Sequence, residues 1–143
     1  MASTVPFKLV TPTQIVFEGD AELVIAVTTE GEEGILPRHA PFLAALKPGV
    51  LRANVHGQDQ ESDGVSRLEL ATNEGFMQAL PDRVTVLVDE AVRFEDVAVS
   101  EVRAEREAAM ERQKTAGEDR ELYAREQAAI EFANAKLRLT GDR

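Results

Sequence analysis

The composition of this 143-residue chain changes abruptly near Phe94, and that change limits the fold to two parts of different kind. From Val5 to about Val92, short aliphatic and β-branched runs alternate with Gly, Pro, Asn and Asp, which is the pattern of strands joined by tight connections. Val24, Ile25 and Val27, then Val50 and Val55, then Val84, Val86 and Val88 are the clearest runs. The turn signals Glu18-Gly19-Asp20, Lys47-Pro48-Gly49, His56-Gly57, Asn73-Glu74-Gly75 and Leu80-Pro81-Asp82 favour antiparallel meanders over crossover helices, hence a sandwich or a barrel. Gln58 to Gly64 holds no apolar residue and reads as an exposed hairpin loop.

After Glu95, Gly and Pro nearly vanish and Ala, Glu and Arg run on to about Leu139. One interruption, Thr115-Ala116-Gly117-Glu118-Asp119, supplies a glycine for a helix C-terminus and an aspartate for the next N-cap, so two helices joined by a tight turn are predicted. On the second helix Tyr123, Ile130 and Leu137, with Ala133 between, predict one narrow apolar stripe. The first helix relies on Val99, Val102, Ala109 and Met110.

The charge excludes several functions. A formal net charge of −10 argues against sequence-independent nucleic-acid binding, which needs clustered cations to release counterions. The absence of cysteine removes disulfides, thiolate chemistry and cysteine zinc sites. The N-terminal MASTVPFKLVTP lacks the basic start and apolar core of a signal peptide. The longest apolar runs, Leu23 to Val27 and Phe42 to Leu46, fall far short of the roughly 20 residues that span a bilayer, so membrane association is expected only through a partner.

No catalytic constellation emerges. There are two His, no Cys and no phosphate-cradling G-x-x-x-x-G-K loop. His39 with Glu32 and Glu33 offers metal-ligand types, but Arg38 adjoins them and no second His lies nearby in sequence, so neither metal nor cofactor is expected. The helix-two cations Arg120, Arg125, Lys136 and Arg138 mix with Glu, as on a solvated face.

The segment Glu30 to Val50, EGEEGILPRHAPFLAALKPGV, combines flexible Gly31 and Gly34 with the restricting Pro37, Pro41 and Pro48, and reads as a shaped loop that presents a surface. Its E-G-E-x-G-I-x-P-x-H-A-P-x-L pattern resembles the epsilon subunit of F-type ATP synthases, from which it departs at Arg38, where that family commonly has Gly. Phe7 to Glu32 and Leu70 to Val92 resemble the same family's opening and closing strands, and the last fifty or so residues its helical hairpin. The resemblance implies an α+β protein: an N-terminal antiparallel β-sandwich (1–94) that binds the rotor, followed by a C-terminal α-helical hairpin (95–143) that regulates.

It further implies a noncatalytic central-stalk role at the cytoplasmic face of a bacterial membrane, coupling a gamma subunit to the c-ring. The position of Glu32 would lie near the ring and that of His39 near gamma. In an extended hairpin, Arg103, Arg106, Arg112 and Lys114 would face an acidic stretch of the beta subunit in the alpha/beta catalytic head. Some members bind ATP between the two helices. Here that motif is poorly kept: Arg103, Ala104 and Lys136 are its remnants, and Phe132 stands at an expected Arg position. Two alternatives remain, an ATP-sensing module and an unrelated β-sandwich binding domain with an oligomerising helical tail.

Overall fold

The structure, a computed structural model, describes residues 3–56 and 64–141. Nine strands and two helices follow one another as the composition predicts: β1 (Val5–Val10), β2 (Ile15–Thr28), β3 (Gly31–Ile35), β4 (Phe42–Leu46), β5 (Gly49–His56), β6 (Val65–Thr72), β7 (Gly75–Leu80), β8 (Arg83–Val88), β9 (Ala91–Val92), then α1 (Val99–Lys114) and α2 (Arg120–Leu139). A single 3₁₀ turn, Phe94–Asp96, joins the strands to the helices.

The strands form two layers that share β2. Its first half pairs with β1, which lies beside β8, β7 and β4; its second half pairs with β3 and β5, which continue to β6 and β9. Every pairing is antiparallel except β1 with β8, a parallel contact that local turn signals do not encode because its strands lie far apart in sequence. Period-two alternation aims Val5, Phe7 and Leu9, then Leu51, Ala53 and Val55, then Val84, Val86 and Val88 into one shared core.

Two connections differ from the sequence reading. Glu18-Gly19-Asp20 is not a turn: β2 runs through it, exchanging β1 for β5 as its partner, with an irregular register between Ala21 and Leu23. The Phe17 ring lies over Gly19, within 3.0 Å of where a Cβ would stand, so glycine here lets an aromatic ring fold back onto its own strand. Glu30 to Val50 is likewise not one loop, because it contains β3 and β4; the irregular part is Leu36 to Pro41. The predicted Gln58–Gly64 loop lies outside the described residues apart from Gly64, as does Gly57 of the His56-Gly57 signal.

The hairpin is fastened to the sandwich through α2. Phe132 and Ala135 are buried with Ala71 of β6, and Val50, Val92 and Leu139 close around them. Burying a phenylalanine in this way contributes about 1.5–3 kcal/mol. A second cluster, Val102 of α1 with Ala133 and Leu137 of α2, joins the helices to each other, and Val97 and Val99 pack on it. The predicted single stripe is therefore corrected. Tyr123 is exposed, since α1 ends opposite it, Met110 is also exposed, and α2 buries two adjoining faces rather than one.

The turn between the helices forms as the sequence indicates. Asp119 caps α2 by accepting from the backbone N–H of Leu122 at 3.1 Å, and Gly117 takes φ +59°. Ala98, at the N-cap of α1, has no side-chain oxygen to do the same.

Candidate functional site: an apolar sheet face and a polar helix seam

Glu32 sits at the β2–β3 turn, opposite Val27, and its carboxylate accepts from the Arg52 Nη2 of β5 at 2.8 Å. Its side chain is 60% exposed, so the charge is available at the surface although it is paired. His39 lies at the other end of β3. A residue rise of roughly 3.3 Å puts about 10 Å of strand between Glu32 and Ile35 before the turn that leads to His39 is reached. The two positions carried over from the resemblance are thus on one edge segment but not in one cluster.

The turn holding His39 has Pro37 and Arg38 at its centre, closed by the His39 N–H donating to the Leu36 carbonyl at 3.2 Å. Arg38 adopts φ +64°, the left-handed region that a type II turn demands at this place and that glycine fills without strain. The imidazole is fixed by Nδ1 at 2.7 Å from the Ala40 carbonyl and by an edge-on contact with the Phe42 ring at 5.8 Å. No three His, Cys, Asp or Glu side chains converge as a metal cage among the described residues.

On the outer face of the β4–β7–β8 layer one row across the strands is apolar. Ala45, Phe76, Leu87 and Val10 stand in register across β4, β7, β8 and β1. Leu43 lies two residues along β4 from Ala45 and so on the same face, in a row that continues with Gln78 and Thr85. Leu43 is 71% exposed, Phe76 58% and Leu87 53%. Sequence reasoning missed this face. Its signal was apolar residues at both parities of one strand, as in Phe76 beside Met77, which marks a strand with something to cover on each side.

The four cations of α1 are all engaged in the folded hairpin. Arg106 donates to Asn134 Oδ1 at 2.9 Å, Arg112 Nε meets Glu126 at 3.0 Å, Lys114 meets Glu111 of its own helix at 3.1 Å, and Arg103 has a partner as well. Gln113 adds a bond to Gln127 at 2.7 Å, so toward the turn the seam between the helices is polar.

The remnants of the nucleotide motif are divided between the two helices. Arg103 and Ala104 are exposed on α1, whereas the Lys136 ammonium lies 4.4 Å from the centre of the Phe132 ring and 3.2 Å from Glu105. The cavity alongside is lined by Asn73, Glu90, Glu105, Arg112, Phe132 and Lys136 among others, so its two carboxylates oppose its two cations. A polyphosphate would meet as much repulsion as attraction there.

A closed sandwich with one outer face covered by its own helices and the other apolar and open defines a two-part docking protein. The chain belongs to the ATP synthase delta/epsilon chain family, whose beta-sandwich domain matches residues 4–94. An ATP synthase epsilon chain of Chromobacterium violaceum is 37% identical over 131 residues, covering 92% of this chain and 89% of that one. ATP synthase epsilon chain 1 of Methylococcus capsulatus is 39% identical, covering 96% and 93%. The fold is also shared with a chain of the Euglena gracilis mitochondrial ATP synthase, solved with OSCP, F1 and c-ring (TM-score 0.74, 20% identity, 94% of this chain and 79% of that one). A chain of the Tetrahymena thermophila mitochondrial central stalk and c-ring shares it too (TM-score 0.61, 18% identity, 94% and 97%). No helix among the described residues is long and apolar enough to cross a membrane.

Proposed function

We propose that the chain is a noncatalytic rotor subunit of a bacterial proton-translocating ATP synthase, held at the cytoplasmic face of the membrane by its partners. The sandwich, residues 1–94, joins gamma to the c-ring, and the hairpin, residues 95–143, restrains ATP hydrolysis. The observation that carries this reading is the division of the sandwich's outer faces. One is sealed by Phe132, Ala135 and Leu139 of α2, and the other leaves Leu43, Phe76 and Leu87 uncovered. That open face suits a gamma helix or strand, and the pre-shaped Pro37-Arg38 turn loses little entropy on docking. The exposed carboxylate of Glu32, on the edge of the same sandwich, suits the polar loops of the ring.

The hairpin suits a switch because its attachment is narrow, a few side chains of α2 against β5 and β6. Folded, it would permit turnover; extended along gamma, it would reach the alpha/beta head. The mixed charge lining the cavity at Lys136 favours this over ATP sensing, and the burial of Leu137 between the helices removes the stripe on which an oligomerising tail depended.

The test is ATP hydrolysis by the cognate catalytic complex with the full chain and with one ending at Phe94, both checked for gamma binding. Faster hydrolysis with the shorter chain, at equal binding, is expected. Equal rates would sink the inhibitory role, and loss of binding by both would sink the rotor assignment.

A further inference from the structure

Among the described residues Glu126 is the one buried charged side chain; the other buried polar residues are Thr28 and Thr72. It projects from the middle of α2, where an alternating Ala/Glu/Arg helix offers exposed positions at no cost, yet its side chain is only 8% exposed. Its partner, Arg112 of α1, is 56% exposed and reaches it with Nε at 3.0 Å. The carboxylate is thus enclosed by the folded hairpin, while the guanidinium keeps its remaining N–H groups toward solvent.

An ion pair with one buried partner is a particular kind of fastening. Its attraction is partly offset by the desolvation of the Glu126 carboxylate, which is satisfied only while Arg112 stays in place and regains hydration as soon as the helices separate. The apolar base of the hairpin, Val102 with Ala133 and Leu137, lacks that property. Arg112 is an α1 cation whose fixed fork suits a carboxylate, and its partner lies on the other helix.

We propose that Glu126 is a built-in competitor for an acidic protein surface: it occupies Arg112 in the folded hairpin and must release it before α1 can engage a carboxylate of another subunit. The inference rests on the proposed inhibitory role and deepens it, since folded and extended hairpins would then exchange one carboxylate partner for another. Lys114 and Arg106 do not share the role. Lys114 pairs within its own helix and keeps that pair in either state, and Arg106 has the neutral Asn134 as its partner.

The chain has no cysteine, so single cysteines placed at Asp82 and Glu107, both exposed, take a label pair that reports the distance from sandwich to α1 in the full-length protein. Glu126→Gln keeps the shape and a neutral acceptor but removes the charge. The expected result is a growth of the separated population and a half-inhibitory concentration toward ATP hydrolysis lowered about tenfold, the effect of weakening one charge-assisted bond in the folded state. The exchange Arg112→Glu with Glu126→Arg is expected to restore the closed distance and to abolish tight inhibition, because the α1 face then presents a carboxylate.

If Glu126→Gln leaves both distance and inhibition unchanged while the unaltered chain inhibits, the competitor role is overturned and the inhibitory role stands. If the exchanged pair inhibits as well as the unaltered chain, Arg112 has no acidic partner outside the hairpin, which also overturns it. If the unaltered chain does not inhibit hydrolysis at all, the inhibitory role on which the inference rests has failed, and the competitor role with it.

Discussion

Arg38 occupies a backbone conformation that a side chain resists. A non-glycine residue in the left-handed region carries a cost of about 1–2 kcal/mol, tolerated here because Pro37 and the Leu36 to His39 bond leave the turn no other path. Arg38→Gly removes that cost but adds freedom to the unfolded chain, so a net gain of about 0.5–1 kcal/mol in denaturant unfolding is expected. Arg38→Val should lose about 1–2 kcal/mol, since a β-branched residue fits the region worst. Equal midpoints for the three chains would show that the turn is not held as described. Gly75 is the opposite case, a glycine that no side chain can replace. A Cβ there would stand 1.9 Å from the Leu87 carbonyl oxygen and 2.7 Å from Val88 Cα, both backbone atoms. Gly75→Ala must therefore push β7 and β8 apart, and a loss of at least about 3 kcal/mol is expected from the same measurement. The sequence marked Asn73-Glu74-Gly75 as a turn, and it is one, but close approach of a neighbouring strand is invisible without the pairing.

At the scale of elements, legibility followed how local the cause was. Both helices, their junction and the Asp119 cap were readable because capping and propensity act within a few residues. Gly19 misled, because a glycine that bends a strand and one that ends it look the same in sequence. The α2 stripe held at Ala133 and Leu137, which are buried against α1, and misled at Tyr123 because heptad spacing ignores where a partner stops. The further core residues Phe132 and Ala135 are set by the sheet beneath them rather than by α1. Two predictions belong here. Ala98→Ser supplies the N-cap oxygen that α1 lacks and should stabilise the helix by about 1 kcal/mol, read as slower amide exchange over Val99 to Arg103. Unchanged exchange there would mean that Ala98 is not the effective cap. Phe132→Ala removes the anchor of α2 on Ala71 and should cost about 3 kcal/mol of docking, seen as a population in which the hairpin leaves the sandwich while the strands stay folded. Joint unfolding of strands and helices would instead make the hairpin part of the sandwich's own stability.

For the whole molecule, the question is why a small acidic protein leaves Leu43, Phe76 and Leu87 together on one face in water. Singly exposed leucines are ordinary, but Phe76 and Leu87 stand in one row with Ala45 and Val10, with no polar residue between them, and Leu43 heads the next row, which continues with Gln78 and Thr85. The opposite face of the sandwich solved the same problem with its own helices. The open face is therefore the side on which a partner is missing, and the family to which the chain belongs makes the rotor that partner under the proposed function. Phe76→Glu places a charge at the centre of the row. Because the side chain is already mostly exposed, folding stability should change by no more than about 0.5 kcal/mol. A centrally buried aromatic anchor is worth at least about 2 kcal/mol to an interface, so affinity for the cognate gamma subunit should fall by roughly a hundredfold when the charge must be desolvated too. Leu43→Glu, in the neighbouring row opposite Gln78, should lose less. A chain carrying Phe76→Glu that keeps its unfolding midpoint and still binds gamma with undiminished affinity would place the interface elsewhere. The apolar row would then need a different partner.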